Sequence, residues 1–138
     1  MLRTILIIGL MSMAVCQAGS HEQWSGDWVA SEGGRVQLKV VLGESTVRLQ
    51  FGEAPRQVVY ELITDSHRRP LGHGLQKAAS AFWMEDSLIV VVDESGPEEV
   101  RTYFEEWVFD ADADQLIRYR TYREAPGRMK AVFARAPR

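Results

Sequence analysis

The stretch VQLKVVLGESTVRLQF, residues 36–51, decides the fold class of this chain. Apolar residues occupy every second position on both sides of the Gly43-Glu-Ser45 turn: Val36, Leu38, Val40, Leu42, Val47, Leu49 and Phe51. Successive side chains of a β-strand point to opposite faces, so this pattern predicts a hairpin with one apolar face and one largely polar face.

The same two-residue period continues through the rest of the chain, and short turns separate the segments. Residues 75–84 are rich in alanine, which permits a short helix, but the flanking strands and the aromatic end favour a strand. Residues 65–74 are predicted to form a polar loop. We therefore expect an all-β fold, an eight- to nine-stranded antiparallel up-and-down meander closed into a barrel, because closure removes exposed edges. An open β-sandwich is the second architecture that fits. The remaining predicted strands cover residues 57–64, 87–93, 100–109, 115–123 and 129–135.

The first eighteen residues have the three parts of a cleavable signal peptide: Arg3, an apolar stretch over 5–15, and small residues before Gly19. The apolar stretch is shorter than the roughly 20 residues of a membrane-spanning helix. We expect cleavage after Ala18, which leaves residues 19–138 as a single exported domain, periplasmic or secreted. Two alternatives remain open: a lipoprotein tethered to the membrane through Cys16, and a buried helix of a cytosolic domain.

Composition narrows the classes of partner. The chain has 16 basic and 19 acidic residues, and removal of Arg3 with the leader leaves fifteen against nineteen, a net charge of about −4. This balance argues against a nucleic-acid binder or a binder of anionic membranes, both of which need positive potential. Because Cys16 is the single cysteine, the domain is expected to fold without an internal disulfide.

The segment Trp24-Ser-Gly26-Asp27-Trp28 contains the motif G-x-W near the start of the predicted domain. In this the chain resembles the lipocalin and avidin group of barrels, that is, a lipocalin-like, calycin-type small β-barrel. The resemblance implies that Trp28 closes one barrel end and that an arginine near the last strand packs across it. Arg135 is the first candidate for that arginine and Arg128 the second. The chain is also similar to exported bacterial proteins that begin S-G-x-W and contain an internal strand such as Glu106-Trp107-Val108-Phe109.

Strand 100–109 and its partner 115–123 have no purely apolar face, as a plain structural core would require. Small barrels either fill their interior or enclose one small ligand. We therefore predict that aromatic and arginine side chains line a cavity in which an arginine holds an anion. In the alternative interpretation the arginines lie outside and pair across strands with Glu105, Glu106 or Glu61. The predicted ligand-binding residues are Trp83, Tyr103, Trp107, Arg118, Arg120 and Tyr122.

No catalytic constellation, metal site or cofactor motif is predicted. Asp110, Asp112 and Asp114 are interpreted as an acidic hairpin turn, and His67, His73 and Asp65 as residues of an exposed loop. We expect an exported, non-enzymatic binding module for a small apolar or amphipathic, possibly anionic, ligand. A protein-interaction or protease-inhibitor barrel, acting through residues 19–23, is the alternative, and an enzyme of lipocalin-like fold is the third hypothesis. Neither nucleic acid nor membrane is an expected partner unless Cys16 is lipidated.

Overall fold

The computed structural model describes residues 21–32, 36–53, 55–71 and 76–137. The predicted leader 1–18 with Cys16, and also His73, lie outside the described residues. Within these residues, a short 3₁₀ turn, Glu22–Trp24, precedes ten strands. These are β1 (Gly26–Ala30), β2 (Gln37–Leu42), β3 (Thr46–Phe51), β4 (Val58–Ile63), β5 (Arg69–Pro70), β6 (Lys77–Met84), β7 (Ser87–Ser95), β8 (Val100–Asp110), β9 (Gln115–Tyr122) and β10 (Arg128–Arg135).

All ten strands form one antiparallel sheet, curled into an open half-barrel, in the order β4-β3-β2-β1-β10-β9-β8-β7-β6-β5. Two meanders, β1 to β4 and β5 to β10, are joined where the first and last strands pair, with Trp28 opposite Arg135. The predicted all-β antiparallel meander is confirmed, and so is a strand rather than a helix over most of residues 75–84. The strand count exceeds the prediction because Arg69 and Pro70, within the predicted loop, pair with Ala79 and Ala78.

The predicted closure of the barrel is wrong, and so is the two-sheet sandwich, because the single sheet ends at β4 and β5. We call the gap between these two edges the seam. β5 is only two residues long, and its Pro70 has no backbone N–H to donate to a neighbouring strand. Apolar side chains instead face each other across the seam, among them Leu62 from β4 and Leu71 after β5.

The concave face of the sheet carries the hydrophobic core. In the hairpin that decides the fold class, Leu38, Val40, Val47 and Leu49 are buried, whereas the intervening Lys39 and Arg48 are exposed. The core continues around the sheet through three fully buried tryptophans and two fully buried leucines: Trp24, Trp28, Trp107, Leu88 and Leu116. Among the described residues, no helix has the length and apolar character needed to cross a membrane.

One end of the half-barrel is covered by an arginine on a tryptophan. The Arg135 Cζ lies 4.3 Å from the centre of the fully buried Trp28 ring. The guanidinium also donates to the Gln23 carbonyl at 2.8 Å and to the Asp114 carboxylate at 3.0 Å. Gly26 has a φ of +138°, and a Cβ there would lie 3.2 Å from Arg135 Nη1. The G-x-W motif therefore has a local reason: glycine supplies the backbone conformation and leaves room for the arginine.

Candidate functional site

A cavity of about 200 Å³ lies on the concave face, at the end of the half-barrel away from the Trp28–Arg135 pair. Most of its twelve lining residues are apolar or aromatic, and they come from strands on both sides of the seam. Three lining residues are charged: Glu105, Arg118 and Arg120. We call these three the charged cluster. The remaining wall residues are Leu49, Phe51, Val58, Tyr60, Leu62, Leu71, Val90, Val92 and Tyr103.

Sheet register brings the charged cluster together. Arg120 of β9 lies directly opposite Glu105 of β8, and Arg118 lies opposite Trp107, one inward-facing position further along. Directly opposed residues of antiparallel strands share a face, and alternate residues return to it. Glu105 shares its face with the buried Tyr103 and Trp107, so all three charged side chains point inward.

Glu105 is the buried acceptor of the charged cluster, with only 9% of its side chain exposed. Its Oε2 accepts hydrogen bonds from Arg120 Nε at 2.9 Å and from Arg120 Nη2 at 2.6 Å. Its Oε1 accepts a longer bond, 3.4 Å, from Trp107 Nε1. The Glu105 carboxylate thus makes its short hydrogen bonds with Arg120.

Arg118 is less well satisfied than Arg120. Its Nε lies 3.6 Å from Glu105 Oε2, beyond normal hydrogen-bond distance, and this buried nitrogen has no hydrogen-bond partner among the described residues. The Arg118 Cζ sits 5.6 Å from the centre of the Trp107 ring, and the Arg120 Cζ sits 4.5 Å from that of Tyr103. With one carboxylate for two guanidinium groups, the charged cluster carries a net charge of +1.

The pKa shifts follow the same asymmetry. Burial lowers the pKa of Arg118, and attraction to Glu105 only partly offsets that effect. Burial also opposes the charge of Arg120, but attraction to Glu105 and the hydrogen bonds between them outweigh it, so the Arg120 pKa is raised. Burial, followed by the nearby Glu105 charge, raises the pKa of Tyr103 to about 12. Arginine stays protonated in proteins, so Arg118 remains a partly buried cation with spare hydrogen-bonding capacity.

Three of the six predicted ligand-binding residues line the cavity: Tyr103, Arg118 and Arg120. Two others lie on the same inner face, next to the lining residues, but do not line the cavity themselves. Tyr122 packs against Tyr103 with ring centres 5.3 Å apart, and the buried Trp107 stacks on Phe133 at 5.8 Å.

The sixth residue, Trp83, lies elsewhere: it stacks on His21, with ring centres 3.7 Å apart, and does not line the cavity. It points to the concave face, but near the turn that joins β6 to β7. Alternation along a strand predicts the face to which a side chain points but not its position along the strand, so it could not separate Trp83 from the residues that line the cavity.

The alternative interpretation, in which the arginines lie outside, is wrong about the face but right about one partner. Arg118 and Arg120 point inward, and Glu105 points inward with them. The sequence prediction omitted Glu105 from the site. The signal that it belongs there was its shared periodicity with Tyr103 and Trp107, whereas Glu106 takes the opposite face and lies 3.6 Å from Arg128.

The acidic loop residues have local partners. Asp65 accepts from Arg69 at 2.6 Å and from the His67 backbone N–H at 3.0 Å, and the Arg69 hydrogen bond is the main reason why the Asp65 pKa is lowered. His67 is exposed. Asp110 accepts hydrogen bonds from two backbone N–H groups of the β8–β9 turn, which stabilise the turn.

No protein-family model matches the sequence, and no curated protein is significantly similar to it. The class of this protein is therefore described from its fold and its cavity alone. The chain is an all-β antiparallel half-barrel, compatible with a lipocalin-like barrel, whose concave face bears a partly open, mainly apolar cavity with a net positive cluster at its wall.

Proposed function

We propose that this protein is a non-enzymatic binding module that holds a small amphipathic anion, a monocarboxylate, in the cavity of the half-barrel. One observation carries the proposal: two inward-facing arginines share a single buried carboxylate, and a buried N–H of Arg118 has no acceptor among the described residues. A ligand carboxylate would supply the missing charge and the missing acceptor. Guanidinium and carboxylate groups are matched in geometry, and charge-assisted hydrogen bonds are among the stronger ones in proteins.

The wall of the cavity supports an apolar body for the ligand. Apart from the charged cluster, the lining is aliphatic or aromatic, so a hydrocarbon chain or ring would lose little on leaving water. The cavity has a volume of about 200 Å³ and is partly open to solvent. The cavity is thus suited to a ligand of short chain length or a single ring, smaller than a long-chain fatty acid.

Export is part of the proposal and is supported by the sequence alone. The n-region, the apolar stretch and the small residues before Gly19 form a signal peptide pattern, which predicts a protein that acts outside the cytoplasm after cleavage following Ala18. In that setting the module would take up its ligand from the periplasm or from the surrounding medium.

The proposal is tested by thermal unfolding with hexanoate, hexanol and hexylamine, which share a chain length and differ in charge. A ligand that binds only the folded state stabilises it by RT ln(1 + [L]/Kd), so hexanoate should raise the unfolding temperature in a saturable way. Hexanol and hexylamine should leave it nearly unchanged, because neither supplies an anion for Arg118.

Matched variants separate the site from general charge effects. Arg118→Met replaces the guanidinium side chain by a long, uncharged one. This variant should lose the rise in unfolding temperature that hexanoate causes. Arg48→Met, on the exposed outer face of β3, should keep it. Equal responses in these two variants, or no response of the unmodified protein to hexanoate or to benzoate, would refute the proposed function.

A further inference from the structure

Two phenol hydroxyls belong to the wall of the cavity, in addition to the charged cluster. Tyr103 lies on β8, and Tyr60 lies on β4, at the other side of the seam. The other neutral residues that line the cavity, within the described part of the chain, have hydrocarbon side chains. A mainly apolar pocket obtains its specificity from a few well-placed polar groups, so these two hydroxyls are candidates for contacts with a ligand.

The Tyr103 hydroxyl has no hydrogen-bond partner among the described residues, although only 4% of this residue is exposed. Burial, followed by neighbouring charges, raises the pKa of Tyr103 to about 12, and no hydrogen bond contributes to the shift. The described polar side-chain atoms that are both sealed from solvent and unpartnered are His21 Nε2 and Arg118 Nε, so the Tyr103 hydroxyl is open to the cavity. Near pH 7 this phenol stays protonated and can both donate and accept a hydrogen bond.

The aromatic surface of the cavity extends from the two hydroxyls to the level of Arg118. Tyr60 is close enough to Tyr103 for its charge to act on the Tyr103 pKa. Tyr60 meets Phe51 edge-on, with ring centres 5.9 Å apart, and Phe51 lies 6.3 Å from Trp107, the ring beside Arg118. Aromatic rings pack well against one another in offset and edge-on arrangements, so this surface favours a flat, aromatic ligand.

The spacing along β8 indicates how far apart the polar groups of such a ligand would be. Glu105, whose Oε2 lies 3.6 Å from Arg118 Nε, is two residues from Tyr103 on the same inward face. A strand rises about 3.4 Å per residue, so roughly 7 Å along the sheet separates the two levels. A carboxylate and a hydroxyl at opposite positions of one benzene ring are about this far apart, whereas at adjacent positions they contact each other.

We propose that the cavity selects an aromatic hydroxy acid, with its carboxylate on Arg118 and a hydroxyl at the opposite side of the ring on Tyr103. This inference rests on the proposed function, because the same cavity and the same Arg118 hold the carboxylate. It adds a specificity-determining residue, Tyr103, and it narrows the ligand from monocarboxylates in general to one chemical class. Binding forms hydrogen bonds and changes no covalent bond.

The experiment is calorimetric titration of the full chain at pH 7 with four ligands: benzoate, 4-methylbenzoate, 4-hydroxybenzoate and 2-hydroxybenzoate. The methyl and hydroxyl groups are similar in size, so the comparison of the two 4-substituted ligands reports the hydrogen bond. A hydrogen bond of ordinary net strength should make 4-hydroxybenzoate bind about five- to tenfold more tightly than 4-methylbenzoate. In 2-hydroxybenzoate the hydroxyl lies beside the carboxylate, so affinity for this ligand should not depend on Tyr103.

Two tyrosine variants make the test specific. Tyr103→Phe keeps the ring and removes the hydroxyl, so the preference for 4-hydroxybenzoate over 4-methylbenzoate should disappear while benzoate binds as before. The hydroxyl has no described partner to lose, so we expect this variant to fold normally. Tyr119→Phe is the matched control, because Tyr119 pairs with Glu106 on the outer face, where Arg128 Cζ lies 3.7 Å from its ring centre. This control should keep the preference.

The outcomes separate this inference from the proposed function. If benzoate binds but the unmodified protein shows no preference for 4-hydroxybenzoate, or if the preference survives in Tyr103→Phe, the hydroxy-acid site is overturned and the carboxylate site stands. Binding of hexanoate without binding of any benzoate overturns the aromatic class in the same way. If neither hexanoate nor any of the four aromatic acids binds, both proposals fail.

Discussion

The charged cluster makes a sharp prediction for the change Glu105→Gln. Glutamine keeps the shape of the side chain and one carbonyl acceptor, but it removes the negative charge that faces Arg118 and Arg120. The two guanidinium groups, each about a quarter exposed at 23% and 24%, would then lie in a largely apolar wall without a counter-charge.

The magnitude follows from burial. Removing one partner of a buried ion pair costs about 3–5 kcal/mol, because the remaining charge is left uncompensated. Both arginines keep some contact with solvent, so the lower end applies, about 3 kcal/mol. For a chain of this size, 1 kcal/mol moves the unfolding temperature by roughly 3–4 °C, which gives a drop of about 10 °C. The hydrogen bonds to Arg120, at 2.6 and 2.9 Å, account for a large share of the loss.

The assay is equilibrium unfolding in urea, in which a lower midpoint at unchanged slope reports a loss of stability. Glu106→Gln is the matched control, because the neighbouring side chain lies on the outer face, is 40% exposed and only approaches Arg128 at 3.6 Å. That variant should change stability by less than about 0.5 kcal/mol, as exposed ion pairs do.

Ligand binding gives a second test of the same variant, in which the expected change is a gain: the variant is less stable but should bind hexanoate more tightly. Glu105→Gln raises the net charge of the cluster from +1 to +2, so hexanoate should stabilise this variant more than it stabilises the unmodified protein. If Glu105→Gln and Glu106→Gln were equally stable, or if Glu105→Gln weakened hexanoate binding, the description of Glu105 as an internal counter-ion would be refuted.

Three further changes test other parts of the structure. Because the folded-state pKa of Tyr103 is about 12 against an ordinary value of 10.0, its contribution is complete below pH 10 and is lost between pH 10 and 12. It amounts to about 2–3 kcal/mol, and urea unfolding at alkaline pH should show this loss in the unmodified protein but not in Tyr103→Phe. Gly26→Ala puts a Cβ on a residue with a φ of +138° and against Arg135, so it should lower the free energy of unfolding by about 1–3 kcal/mol in the same assay. Gly127→Ala has free space around the Cβ, so it should show no cost from a steric clash. The hydrogen bond with Arg135 lowers the pKa of Asp114, so this contact stabilises the folded state above pH 4 and is lost as the pH falls through the lowered pKa. In Asp114→Asn, the free energy of unfolding should therefore fall less steeply at acid pH.

Much of the fold was predictable because alternation is a local property. The hairpin 36–51 and the long strands each bury one face, and their periodicity appears directly in the sequence. The open seam was not predictable in this way, since it depends on β5, a two-residue strand that contains Pro70 and has no period of its own. Closure of the barrel depends on whether the two edge strands of the sheet pair, and the alternation of apolar residues within a strand does not predict this.

The candidate site was predictable in part for a related reason. Polar residues on both faces of β8 and β9 indicated that something other than hydrocarbon is buried, but they did not indicate which face is concave. The aromatic neighbours of Arg118 and Arg120 predict that both arginines lie in the cavity, whereas the sequence suggests Glu105 only as a partner outside it. Only the register of β8 against β9 shows that Glu105 and Arg120 are directly opposed on the inner face.

The seam between β4 and β5 also affects how strictly the cavity selects for size. Leu62 and Leu71 line the cavity from the two sides of this gap, and no pairing between described strands joins the two edges. In a closed barrel, widening the interior would strain hydrogen-bonded strand pairs around the whole ring. Here β4 and β5 can move apart while every pair of neighbouring strands keeps its backbone hydrogen bonds. We therefore expect the cavity wall to deform more easily than the wall of a closed barrel. A series of carboxylates of increasing chain length should therefore lose affinity gradually, without a sharp cut-off.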